Sequence, residues 1–199
     1  KSVDGILAFG PMSDIMLDMI HNKGIPCVFM DYLFKHRQEN CVLPENFQST
    51  YKAAKYLIAC GCRKIWFLFG TLHFFHITNE ERPAGYAVAM DEAGLKAEII
   101  EVSPRSEPTK DMMLKIFAEK GFPDAIMTAG DKMTMGVYLA IQQMKPEQFE
   151  KTRIIGFDDL PWLAQQKPAI SAIHTNIDEI GREAAKRLMA RIENPLLPV

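Results

Sequence analysis

TRIIGFDDLPWLAQQKPAISAIHTNIDEIGREAAKRL, from Thr152 to Leu188, is the stretch that decides the fold of this 199-residue chain. It opens on a short apolar run, Arg153 to Phe157, that stops at two adjacent carboxylates, Asp158 and Asp159. Pro161 and Trp162 follow, then a second apolar run from Ile170 to Ile173. Asn176 or Asp178 then caps a helix carrying Ile180, Ala184, Leu188 and Ile192 on one face. Strand, polar loop, strand and helix is the grammar of an open α/β sheet, and such sheets bind ligands at the loops that follow strands. Two acids on such a loop stand where a small molecule is read.

Composition narrows the class. At 48% hydrophobic and 24% charged residues the chain is an ordinary globular sequence, long enough to bury a core as one domain or two lobes. A net charge of −2 argues against an electrostatic nucleic-acid binder, which would carry a basic face. The four cysteines, Cys27, Cys41, Cys60 and Cys62, follow no framework spacing and read as reduced thiols of a cytosolic protein. No apolar run approaches the roughly 20 residues that span a bilayer, and no signal peptide is recognisable, so no membrane partner is expected. The chain begins inside a strand, and a preceding segment is expected.

In chain order, Val3 to Phe9 reads as a buried strand ending at Gly10-Pro11, and Ser13 as the cap of a helix closed by Gly24. Ile25 to Met30 is a strand that ends at Asp31. A short extended piece, Val42-Leu43, precedes a helix beginning at Glu45-Asn46 with Ala53, Ala54, Leu57 and Ile58 buried. Ile65 to Phe69 is a strand followed by an aromatic loop, His73-Phe74-Phe75-His76. Asn79 is expected to cap the helix bearing Arg82 and Tyr86. Glu98 to Val102 is a strand, Ser103 to Thr109 a proline-broken loop, and Lys110 to Lys120 a helix. Ala125 to Thr128 is a strand, after which Asp131 is expected to cap a further helix. Roughly seven strands alternate with six helices, the pattern of a parallel, doubly wound α/β architecture.

Four pieces resemble the effector-binding region of the LacI/GalR family of bacterial transcription regulators: VDGILAF with GIPCVFMD (Val3 to Asp31); ENFQSTYKAAKYLIACGCRKIWFLFG (Glu45 to Gly70); ERPAGY (Glu81 to Tyr86) with PDAIMTAGDKMTMGVYLAI (Pro123 to Ile141); and RIIGFDDLPW with ISAIHTNIDEIG (Arg153 to Gly181). GFDD, an Arg-x-x-Gly-Tyr helix and a Gly-Asp-x-Met-x-x-Gly turn carry the resemblance together. It implies a type I periplasmic-binding-protein-like fold, two Rossmann-like lobes with parallel sheets and a ligand cleft between them. Residues 1–44 with 176–194 would form an incomplete N-terminal lobe, and residues 45–175 with 195–199 the C-terminal lobe. The implied partners are a small-molecule effector, a sugar or derivative, and operator DNA reached through a head domain outside this chain. A homodimer is implied, and no cofactor. The alternative is a periplasmic solute-binding protein of a sugar transporter. An enzyme is disfavoured, since no GxSxG elbow, P-loop or GxGxxG is present.

Binding a polyol requires bidentate hydrogen-bonding groups and apolar faces, because each hydroxyl taken from water must be paired again. Asp158, past a strand end, is read as the ligand carboxylate, and Asp159 as the cap of the turn from Leu160 to Ala164. Arg82 is either a solvated helix charge or, as the resemblance implies, a fork of donors in the cleft, and the second reading is favoured. Asp31 is a ligand residue or an Asx-turn. Thr175 faces the cleft or satisfies crossover backbone. His73, Phe74 and Phe75 stack on a ligand or plug the loop, and His73 with His76 gives only a faint metal signal. Trp162 is a second candidate wall, and Arg105 an extra charged contact. Gly130 departs from the family: it stands where Asn usually precedes the Asp, removing an amide that would bind hydroxyls, which argues against a simple hexose.

Overall fold

Val28 and its neighbours Cys27 and Phe29 point to opposite faces of one strand, and that alternation organises the first part of the chain. The computed structural model describes residues 3–10, 12–34, 39–70 and 78–194. They divide into two compact units, the described parts of Lys1–Pro44 and Asn176–Val199 forming one, and those of Glu45–His73 and Thr78–Thr175 the other.

In the first unit, β1 (Ile6–Phe9), β2 (Cys27–Met30) and β3 (Cys41–Val42) pair in parallel in the order β1-β2-β3. Helix α1 (Asp14–Asn22) follows β1, and Leu17 packs with Cys27 and Phe29 on one face. Helix α7 (Ile177–Glu193) covers the other, where Val28, Val42, Ala184 and Leu188 meet. In this unit Ser13 is the cap the sequence suggests, accepting from the Met16 N–H at 3.3 Å, and Asn176 rather than Asp178 caps α7, accepting from the Glu179 N–H at 3.1 Å. The first two strands are shorter than their apolar runs. Ladder pairing rather than hydrophobicity sets their ends.

In the second unit, five parallel strands lie in the order β5-β4-β6-β7-β8. They are β4 (Ile65–Gly70), β5 (Glu98–Val102), β6 (Ala125–Thr128), β7 (Arg153–Phe157) and β8 (Ser171–Ile173). Helices α2 (Asn46–Ala59) and α3 (Thr78–Glu92) cover one face, with Ala54, Leu57, Phe67, Tyr86 and Met90 in the shared core. Helices α4 (Ser106–Lys120) and α5 (Asp131–Met144) cover the other, with Trp66, Leu68, Met113, Phe117 and Val137. Coverage on both faces is why IWFLF in β4 is continuously apolar.

Four local expectations are corrected. Helix α4 begins at Ser106, inside the supposed loop, because Pro108 stands in its first turn, where a missing N–H forfeits no intrahelical bond. Asp131 is the first residue of α5, and Gly130 is the cap residue, without a side-chain cap bond. Thr78 is already helical, so Asn79 lies within α3. The short helix α6 (Pro161–Ala164) is preceded by Leu160, again without a side-chain cap bond, and Asp159 instead faces His174 at 3.6 Å. With β3 and β8 counted, the described residues hold eight strands and seven α-helices. All four cysteines are free, and burial pushes the Cys27 thiol up to about 11, which keeps it protonated.

Candidate functional site

Strand β4 has β5 on one side and β6 on the other, so the direction of winding reverses at β4. At such a switch point the connections diverge and leave a crevice at the carboxyl ends of the strands. Helix α2 runs into β4 and helix α3 leaves it, which brings the amino ends of both helices to that same side. The register fixes the rest: Leu68 pairs with Thr128, Met127 with Ile155, and Phe157 with Ile173. The residues following these strands therefore share one rim.

Arg82 lies here and is only 6% exposed, which removes the solvated-charge reading. Its Nε donates to Asn46 Oδ1 at 2.8 Å and its Nη1 to the Ala129 carbonyl at 2.6 Å. The guanidinium carbon stands 3.4 Å from the centre of the Phe157 ring. A desolvated cation over an aromatic face gains about 2 kcal/mol, and the two hydrogen bonds fix the fork in its plane. Gly85 and Tyr86 complete the motif around it. A Cβ on Gly85 would stand 2.3 Å from the Phe47 carbonyl oxygen, so glycine lets α3 touch α2. The Tyr86 hydroxyl donates to the Ile65 carbonyl at 2.6 Å and accepts from the Glu98 N–H at 2.9 Å, tying α3 to β4 and β5. Burial pushes that phenol up to about 12.

Asp158 leaves β7 in the left-handed region, φ 69°. Its N–H donates to the Ile173 carbonyl at 3.1 Å, and its own carbonyl accepts from the Leu160 N–H at 3.1 Å. Thr175 Oγ1 donates to Asp158 Oδ1 at 2.9 Å. The sharp turn lifts a half-buried carboxylate out of the strand line, and Thr175 holds one of its oxygens. Asp158 and Thr175 are thus brought together, next in sequence to the ring on which Arg82 lies.

The remaining candidates separate. Trp162 is half-buried on α6, and its ring lies edge-on to Tyr138 at 6.1 Å, packed on the α4–α5 side. Gly130 is extended, φ −179°, and its carbonyl accepts from the Thr134 N–H and hydroxyl at 3.1 and 3.0 Å. Asp31 belongs to the first unit, where it ends β2 at φ 54° with its N–H donating to the Val42 carbonyl at 3.0 Å. Arg105 is exposed at the start of α4. His73, Phe74, Phe75 and His76 lie outside the described residues. Sequence reading missed Asn46, whose side chain meets Arg82 across 36 positions, a separation with no local signal. It also missed Phe157, read only as a strand residue.

Among the described residues the rim carries a buried guanidinium and a carboxylate that accepts from a hydroxyl, a donor and an acceptor suited to a polar ligand. Among the described residues no group of three or more His, Cys, Asp or Glu could hold a metal, and no helix is long and apolar enough to cross a membrane. A cavity of about 250 Å³, lined by Tyr56, Phe149, Arg153 and Ser171 among others, lies at the opposite, amino ends of β7 and β8.

Residues 54–198 match the family model described as a periplasmic-binding-protein-like domain. The chain is 31% identical over 200 residues to the HTH-type transcriptional repressor PurR of Klebsiella pneumoniae (strain 342), an alignment covering 98% of this chain and 58% of that repressor. The chain therefore spans less than two thirds of the length of such relatives. Among solved structures it is similar to a regulatory protein of the LacI family from Chloroflexus aggregans, with a TM-score of 0.85, 27% identity, and 96% and 70% of the two chains covered. A transcription regulator named GntR from Chromobacterium violaceum gives a TM-score of 0.78 and 26% identity, over 96% of this chain and 70% of the other.

Proposed function

Because the chain belongs to the periplasmic-binding-protein-like domain family, we propose that it is the effector-sensing region of a LacI-type transcription regulator. Its effector is a small polar molecule, a carbohydrate or derivative, held at the carboxyl-end rim of the β4–β8 sheet. The observation that carries this reading is the buried Arg82 fork on the ring of Phe157, which directly precedes Asp158 of the Asp158–Thr175 pair in the chain. A guanidinium donates and a carboxylate accepts, so a ligand offering adjacent hydroxyls has both of its hydrogen-bonding roles answered. Thr175 holds one oxygen of that carboxylate by donating to Oδ1.

In this reading the effector binds two conformations of the protein with different affinity, and that difference is what reaches operator DNA through a head domain. The protein works in the cytoplasm as a homodimer. The repressor relatives are what favours regulation over transport of the solute. Asp31, in the first unit, ends β2 with the same left-handed geometry as Asp158.

A thermal-shift screen against D-ribose, D-glucose, cellobiose, ribose 5-phosphate and adenine, followed by calorimetry on each hit, tests the site. A stabilising probe at a hundred times its dissociation constant adds about 2.7 kcal/mol. Equal affinity in the wild type and in Asp158→Asn and Arg82→Ala variants sinks the assignment.

A further inference from the structure

We propose that Asn46 determines ligand specificity in this site, by donating a hydrogen bond from its side-chain Nδ2 to a neutral acceptor on the bound molecule. The proposal rests on the effector-binding reading above. Asn46 is the first residue of α2, so it stands on the same rim as Arg82, Ala129 and Phe157. It is fully buried, at 0% exposure. Its amide orientation is not free. Oδ1 accepts from Arg82 Nε, and turning the amide over would set two N–H donors against each other. The Nδ2 end is therefore defined, and it has no hydrogen-bond partner among the described residues.

A buried amide donor left unpaired costs about 1–3 kcal/mol, and native proteins carry few of them. One held in a fixed orientation at the rim of a ligand site is explained if the ligand supplies the acceptor. Complementarity then names the chemistry. The ligand offers donors to Asp158 and a hydroxyl oxygen, carbonyl oxygen or unprotonated ring nitrogen to Asn46. A ligand presenting an N–H or a cation at that point is rejected, because two donors would meet without solvent.

Asn46→Asp separates this role from simple support of Arg82. The aspartate keeps an oxygen for Arg82 Nε, and gains attraction to the guanidinium, while the donor becomes an acceptor. With the probe from the D-ribose, D-glucose, cellobiose, ribose 5-phosphate and adenine panel that binds the wild type most tightly, Asn46→Asp is expected to lose at least tenfold in affinity by calorimetry. Its melting temperature should match or exceed that of the wild type. A second measurement needs no variant: the assigned ¹⁵N side-chain amide resonance of Asn46 in the wild-type chain should move downfield when the probe is added. Affinity within twofold of wild type, or an amide resonance that does not respond, overturns the proposal. If Asp158→Asn loses binding while Asn46→Asp keeps it, Asn46 alone is excluded and the effector site stands. If no probe binds the wild type, the site reading falls, and the role of Asn46 with it.

Discussion

Asp158 combines two properties that ordinarily compete, a charged side chain and a left-handed backbone at φ 69°. Asparagine and aspartate tolerate that conformation better than other side-chain-bearing residues, whereas alanine there adds strain of about 1 kcal/mol. Asp158→Asn is thus expected to melt close to the wild type while losing about 1.5–3 kcal/mol of ligand binding, the worth of a hydrogen bond to a charged group. Calorimetry and a thermal melt on one preparation check both halves. Gly130 makes the opposite case. Its φ is extended, and a Cβ would meet only the mobile end of Met133, at 3.3 Å. Gly130→Asn should therefore fold, gain a few tenths of a kcal/mol at most as a helix cap, and restore an amide beside the site. A shift of ligand preference across the sugar panel is the readout. At this scale the sequence exposed the strand-end acids and the arginine, because their types and spacings are local. Asn46 was hidden, since its partner is 36 positions away and nothing nearby marks an asparagine as buried.

The helices explain why the recognisable motifs contain the residues they do. Gly85 permits contact between α2 and α3. Gly136 does the same for α4 and α5, where a Cβ would stand 2.6 Å from Thr109 Cβ and 2.7 Å from the Ser106 carbonyl oxygen. Gly136→Ala forces overpacking against backbone and should destabilise by about 1–3 kcal/mol in urea titration. The strands have their own tie: Asp124 accepts from the Arg63 and Lys64 N–H groups, both at 2.8 Å, joining the loop before β4 to the start of β6. These backbone bonds, that of Lys64 first, hold the Asp124 carboxyl below its usual 3.8. A depressed carboxylate stabilises the fold above its unfolded pKa and loses that contribution as pH falls through the folded one. The stability gap between wild type and Asp124→Asn should accordingly be widest near neutrality and narrow below about pH 4, measured by urea unfolding across that range. Element types were readable from apolar periodicity, whereas element ends were not. Helix α4 starts four residues before its expected first residue because Pro108 signals a break to sequence reasoning, yet fits a first turn. Gly130, not Asp131, caps α5, a distinction that depends on one dihedral pair rather than on residue type.

At the level of the whole molecule the two units are built differently. The larger is drawn from one nearly continuous segment and covers both faces of its sheet with its own helices. A polypeptide of residues 45–175 is expected to fold alone and unfold cooperatively, followed by circular dichroism and tryptophan fluorescence in urea. A broad, non-cooperative transition would argue against its independence. The smaller unit closes only when α7, from the far end of the chain, lays Ala184 and Leu188 against Val28 and Val42. That arrangement sets a schedule for synthesis. At about 5–20 residues per second, the roughly 130 residues between Pro44 and Asn176 take about 7–26 s to make. For that interval the Val28–Val42 face exists without its cover, while the larger unit can complete itself. A nascent chain halted before Ile177 should hold chaperones through that face, and release them once α7 has emerged.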